Sequence, residues 1–166
     1  EKLRIHATQA FTVLLFLILL FTSSAWEEKS PLVTIILFFL GAFLVGIASM
    51  GRLWCSIYIA GYKTDKLIRE GPYSICRNPL YFFSFIGASG LGMATESLLI
   101  PFLIILTFTI YYPMVIKSEE AEMLKKHGKE YEAYLTQVPS FFPDISKLKE
   151  PDSYITKPIT SVQNSF

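Results

Sequence analysis

Residues 32–51 read LVTIILFFLGAFLVGIASMG, twenty positions without one ionisable side chain. At 1.5 Å rise per residue such a run is long enough, as a helix, to cross the ~30 Å hydrocarbon layer of a bilayer. Three further apolar runs flank it, at 8–26, 79–94 and 97–116. The first of these is long for a signal-peptide core, and Ser23-Ser24-Ala25 is a weak cleavage site, so a retained span is expected. The run at 79–94 is short and is expected to start among the headgroups. The predicted fold class is all-α: a polytopic membrane protein of about four transmembrane helices plus a C-terminal amphipathic cytoplasmic helix.

Composition agrees. The 166 residues are 52% hydrophobic, 15% aromatic and 17% charged, with a mean hydropathy of +0.43, values outside the range of an ordinary soluble domain. The net charge is +1, and the arginines are not interleaved with aromatics as in a single-strand groove, so nucleic acid is not an expected partner. Cys55, Cys76, His6 and His127 have no metal-ligand spacing, and no metal is expected.

Loop charges set the orientation. Of the fifteen lysines and arginines, only Lys29 lies in the 27–31 turn, and the other fourteen fall on the opposite side. The positive-inside rule therefore places both termini and any active site in the cytoplasm. Three regions are expected: 1–51 as two N-terminal transmembrane helices, 52–143 as the catalytic region, and 144–166 as a flexible tail. Within the spans, Ser84, Ala88 and Gly92 with Gly87 and Gly90, and Ala42 with Gly46, are small residues that let helices approach closely. Pro113 is expected to kink the last span. Beyond it, Ser118 suits a helix cap and Glu119, Glu120 and Glu122 a first turn, followed by an apolar stripe of Leu124, His127, Tyr131, Leu135 and Val138. Gly128 interrupts that helix.

The chemistry concentrates in residues 71–81, GPYSICRNPLY. Asn78-Pro79 is a turn that opens a helix with proline in its first turn. Arg77 before it is either a membrane-surface anchor or a fork of donors for a carboxylate. The hairpin of the last two spans returns Glu119 and Glu120 to the level of Arg77, and Glu120, on the apolar stripe, is expected to point inward while Glu122 and Lys126 face water. Tyr73, Tyr81, Tyr131 and Tyr134 lie near the same edge, as an interfacial belt or as walls that stack a flat base.

The segment GPYSICRNPLY, a glycine-rich short span, and then EEAEMLKKHGKEYEAYLTQVP together resemble the isoprenylcysteine carboxyl methyltransferases and the related phospholipid N-methyltransferases. The resemblance covers about residues 52–143 and rests on Gly71, Pro72, Tyr73, Arg77, Asn78, Pro79, Tyr81, Glu119, Glu120, Gly128, Tyr131 and Tyr134. It implies a membrane enzyme that binds S-adenosylmethionine and methylates a lipophilic or lipidated acceptor arriving from the bilayer, most like a prenylcysteine carboxylate. Catalytic roles then fall to Arg77, Glu119 and Glu120. Cofactor contacts fall to Gly71, Pro72, Tyr73, Arg77, Asn78, Pro79, Tyr81, Glu120, Tyr131 and Tyr134. Asn78 stands where the family most often has histidine, and Gln137 where an arginine is often found. Membrane steroid and sterol reductases, which bind NADPH, are similar to the same pattern and form the alternative, with a non-catalytic scaffold as the third reading.

Overall fold

The computed structural model describes residues 30–60, 66–95 and 99–150, and among these every regular element is helical. Helix α1 is Pro31–Ile59, α2 the single turn Pro72–Ile75, α3 Pro79–Ala94, α4 Leu99–His127 and α5 Lys129–Gln137, with a 3₁₀ turn at Ile145–Lys147. Two of them, α1 and α4, are long and apolar enough to cross a membrane, and α3 is a shorter apolar helix. The expected first span lies outside the described residues. Along α1 and α4 large apolar side chains such as Phe39, Phe43, Leu53, Phe102 and Ile110 stand 60–67% exposed. So much outward-facing hydrocarbon suits lipid rather than water as the solvent of these faces.

The α1–α3 contact is a backbone approach. A Cβ on Gly41 would lie 2.5 Å from the Gly90 carbonyl oxygen, and one on Gly51 would sit 2.2 Å from the Phe83 ring. The buried face of α1 is Gly41, Ala48, Gly51 and Cys55. This corrects the expected pairing through Ala42 and Gly46: Ala42 is exposed and a Cβ on Gly46 would meet nothing within 4 Å. The two stripes are neighbours on the helix surface, and the one that admits the Gly90 backbone wins.

A second correction concerns Ser118. Helix α4 runs unbroken from the bilayer through Ser118 to His127, with Pro113 inside it, so Glu119, Glu120 and Glu122 occupy a helix interior rather than a first turn. The break falls at Gly128, whose φ of +53° only glycine adopts cheaply. The phase of the continuous helix leaves Leu124 exposed, and Met123 takes its inward place beside buried Leu67, Tyr131 and Tyr134. Residues 144–149, where the expected tail begins, fold back on α2: Asp144 N–H donates to the Ile75 carbonyl at 2.9 Å, and Gly71 N–H to that of Lys149 at 2.7 Å.

Candidate functional site

The loop before α3 is fixed by its own residues. Gly71 has φ +58°, and any Cβ there would enter the Tyr58 ring at 2.3 Å. Pro72 and Pro79 are fully buried at the first turns of α2 and α3. These three therefore shape the loop and are not in the lining of the cavity beside it. From it Arg77 projects toward α4 and α5. Its backbone N–H donates to the Pro139 carbonyl at 2.9 Å and its Nη1 to the Leu135 carbonyl at 2.8 Å.

Glu120 answers from α4. Its Oε1 lies 3.1 Å from Arg77 Nε, with the two side chains only 20% and 12% exposed. The Nε–H is not aligned on that oxygen, so the contact is a charge pair, and the buried Nε has no directed acceptor. Asn78 Nδ2 donates to the same Oε1 at 3.3 Å and to the Ser140 carbonyl at 3.0 Å. Ser140 Oγ donates to it at 3.4 Å. Asn78 thus holds the carboxylate that pairs with Arg77. The hydrogen bonds of Glu120 among the described residues all fall on Oε1. Glu119, one residue and about 100° around the helix, turns elsewhere: its Oε1 accepts from Tyr81 Oη at 2.5 Å.

These groups border a cavity of about 360 Å³. Tyr73, Arg77, Asn78, Glu119, Glu120, Tyr131 and Tyr134 reach it. Tyr81 touches it through Glu119 only. Its other wall is Ile59 at the end of α1, the 66–68 strip and Met123. Sequence reasoning passed over Leu67, Ile68 and Ser140, because apolar or small residues on an irregular strip carry no periodicity, and over Ile59 and Met123, which look like any other apolar helix positions. Charged groups stand on both sides of the cavity, Arg77, Glu119 and Glu120 on one and Lys66 on the other, and its tyrosines are held neutral. Tyr134 Oη donates to the Tyr73 carbonyl at 2.6 Å, and burial pushes the Tyr73 and Tyr134 phenols up. Burial first, then the Glu120 carboxylate, push the Tyr131 phenol up to about 12. Burial likewise carries the Cys76 thiol up to about 11, where it donates to the Phe141 carbonyl at 3.1 Å and is not poised as a nucleophile.

A phenol raised in the folded state contributes stability that is complete below its unfolded value near 10 and is lost as pH rises through the folded value. The melting temperature is therefore expected to fall steeply between about pH 10 and 12, in step with the ultraviolet signal of tyrosine ionisation. Tyr131→Phe should soften that fall. An unchanged alkaline melting profile in that variant would contradict the burial of Tyr131 against Glu120.

A family model described as phospholipid methyltransferase matches residues 30–130, which hold α1 to α4 and most of this cavity. The chain belongs to the phospholipid methyltransferase family. Among its relatives, the cobalt-zinc-cadmium resistance protein CzcN of Cupriavidus metallidurans is 40% identical over 150 residues, 89% of this chain and 67% of that protein. The nickel-cobalt-cadmium resistance protein NccN of Alcaligenes xylosoxydans xylosoxydans is 38% identical over 135 residues, 80% of this chain and 61% of that protein. A protein-S-isoprenylcysteine O-methyltransferase of Schizosaccharomyces pombe is 32% identical over 81 residues, 49% of this chain and 34% of that enzyme. The chain thus spans about two thirds of the length of the two resistance proteins. No solved structure matches it. Family and helices together make this a membrane protein of a methyltransferase family.

Proposed function

We propose that the protein transfers a methyl group from S-adenosylmethionine to a lipophilic acceptor at the membrane surface. The observation that carries this reading is the Arg77–Glu120–Asn78 cluster opening onto a tyrosine-walled cavity of about 360 Å³. That volume lies in the range of small-molecule clefts, ~300–1,000 Å³, and its donor set fits the cofactor. The guanidinium of Arg77, which borders the cavity, suits the cofactor carboxylate, Glu119 and Glu120 suit its ammonium, and the rings of Tyr73, Tyr131 and Tyr134 suit its adenine. When bound, S-adenosylmethionine supplies an electrophilic methyl whose C–S electrons leave with the sulfur.

The residues' part is to bind and to orient, and near-attack positioning accounts for much of such a rate enhancement. Asn78 keeps the Glu120 carboxylate turned to Arg77 without adding a titratable group. A carboxylate acceptor needs no base here. An amine or thiol would give its proton to Glu119 or Glu120. The family model points to a phospholipid and the fission yeast relative to a prenylcysteine, so the acceptor class common to both, a lipid-anchored nucleophile, is the one we retain. The resistance names of two relatives are consistent with a modified membrane component contributing to metal tolerance. The reductase reading finds less support. Arg69, one candidate for nicotinamide-cofactor phosphates, is bound to Glu130 at 2.6 Å.

Incubating the purified protein with methyl-labelled S-adenosylmethionine and a membrane lipid extract should move label into the organic phase. Arg77→Ala should lower that transfer at least 100-fold. Label confined to the aqueous phase with every lipid extract would refute the proposal.

A further inference from the structure

Arg52 has no place in the cluster just described. It lies on α1, seven residues before Ile59, and seven residues return to nearly the same helix face. Ile59 lines the cavity, so Arg52 stands on the cavity-lining face about 10 Å deeper along the axis. Its depth agrees from the other helices. Arg52 Nη1 donates to Ser84 Oγ on α3, about one and a half turns below Asn78. On α4, Tyr112 lies seven residues before cavity-lining Glu119, and its ring meets that of Tyr81 at 5.0 Å. Arg52, Ser84 and Tyr112 therefore form a lower tier, and Ile59, Asn78 and Glu119 an upper one.

An arginine at this depth is ordinarily expected to extend along its helix toward water. Here the guanidinium instead turns sideways across the helix pair to a neutral hydroxyl, and no carboxylate among the described residues pairs with it. Ser84 Oγ donates onward to the Leu80 carbonyl at 2.7 Å, which aims its lone pairs at Arg52 and leaves the cation's charge uncompensated among the described residues. Counting ~20 residues for the hydrocarbon layer from Pro31 places Arg52 at the opposite headgroup boundary, the level of lipid phosphates. Arg52 is exposed there.

We propose that Arg52, steadied by Ser84, binds the anionic group of the lipid acceptor, so that the acceptor's nucleophile is presented upward into the cavity. This rests on the methyltransferase reading for the acceptor's identity, and it limits the substrate class to amphiphiles that carry an anion below the methylated atom. Guanidinium pairing with a phosphate or a carboxylate is bidentate and charge-assisted, which suits either source.

The test is thermal unfolding of the full chain in maltoside micelles, titrated with hexadecyl phosphate, hexadecanoate, hexadecanol or S-adenosylhomocysteine. At least one of the two anionic amphiphiles should raise the melting temperature saturably, and the stronger of them names the anion. Hexadecanol should not. Arg52→Gln should weaken the anion's apparent affinity at least tenfold, with Arg52→Lys recovering part of it, while the response to S-adenosylhomocysteine stays at the wild-type value. Equal responses to hexadecanol and the anions, or an undiminished anion response in a folded Arg52→Gln protein, would overturn the proposal. Loss of the S-adenosylhomocysteine response alone, in the wild-type protein, would count against the methyltransferase reading and leave the anion site standing.

Discussion

Glu120→Ala is expected to abolish methyl transfer, by at least 100-fold, and to weaken cofactor binding at least tenfold, while Glu122→Ala two residues away changes neither. Three groups converge on one Glu120 oxygen: Arg77 Nε at 3.1 Å, Asn78 Nδ2 at 3.3 Å and Ser140 Oγ at 3.4 Å. Truncation leaves the Arg77 cation mostly buried with no counter-charge. A fully buried pair broken this way costs ~3–5 kcal/mol. With side chains still 12% and 20% exposed, about 2 kcal/mol is the reasonable scale here. Glu120→Gln separates the hydrogen bonds from the charge. It keeps an oxygen for Asn78 and Ser140, so part of the stability returns, but it lacks the negative charge that pairs with Arg77 and would hold an ammonium. Exposed Glu122 makes no such contact, and its replacement should fall within the ~0.5 kcal/mol usual at surfaces. The check is labelled-methyl transfer and thermal unfolding on all three variants, and a wild-type rate in Glu120→Ala would remove Glu120 from the site.

Gly90→Leu is expected to leave no folded protein. A Cβ at position 90 would lie 2.7 Å from the Gly41 carbonyl oxygen, 2.8 Å from Leu44 Cβ and 3.1 Å from Val45 N, and position 41 is crowded reciprocally by the Gly90 oxygen and Ala94 N. Two of these neighbours are backbone, which cannot rotate away as a side chain tip can. Overpacking ordinarily costs ~1–3 kcal/mol. Here the α1–α3 pair must separate, and with it Ile59 leaves the cavity wall. Gly46→Leu, on α1 near Gly41 but facing open space, should behave as wild type. Size-exclusion profiles in detergent and melting temperatures distinguish the two, and a monodisperse Gly90→Leu protein of wild-type stability would contradict the close helix contact.

What the sequence revealed and what it hid follow one physical division. Local chemistry was legible. Asn78-Pro79 starts α3 because proline fixes φ and needs no hydrogen-bond partner in the first turn, and the hairpin length alone brings Arg77 and Glu120 to one level. Phase was not. A serine followed by three glutamates signals a helix start, yet continuing α4 through Ser118 gives its backbone helical partners without any side-chain cap, and no break interrupts the helix before Gly128. The choice between Gly41 and Gly46 as the contact glycine was likewise decided by the facing Gly90 backbone, which no single-helix pattern contains. Ser140 reached the site through a strip stitched to residues 76–78 by backbone carbonyls, where almost any side chain would serve. The inward turn of Glu120 was legible from its place on the apolar stripe, whereas the hold of Tyr81 on Glu119, one 100° step away, was not.

The measurement closest to the central claim is a calorimetric titration of the detergent-solubilised protein with S-adenosylhomocysteine, run beside NADPH. One saturable site for S-adenosylhomocysteine, lost in Arg77→Ala and Glu120→Ala and unmatched by NADPH, is the predicted result. Saturable binding of NADPH with no heat from S-adenosylhomocysteine would contradict it.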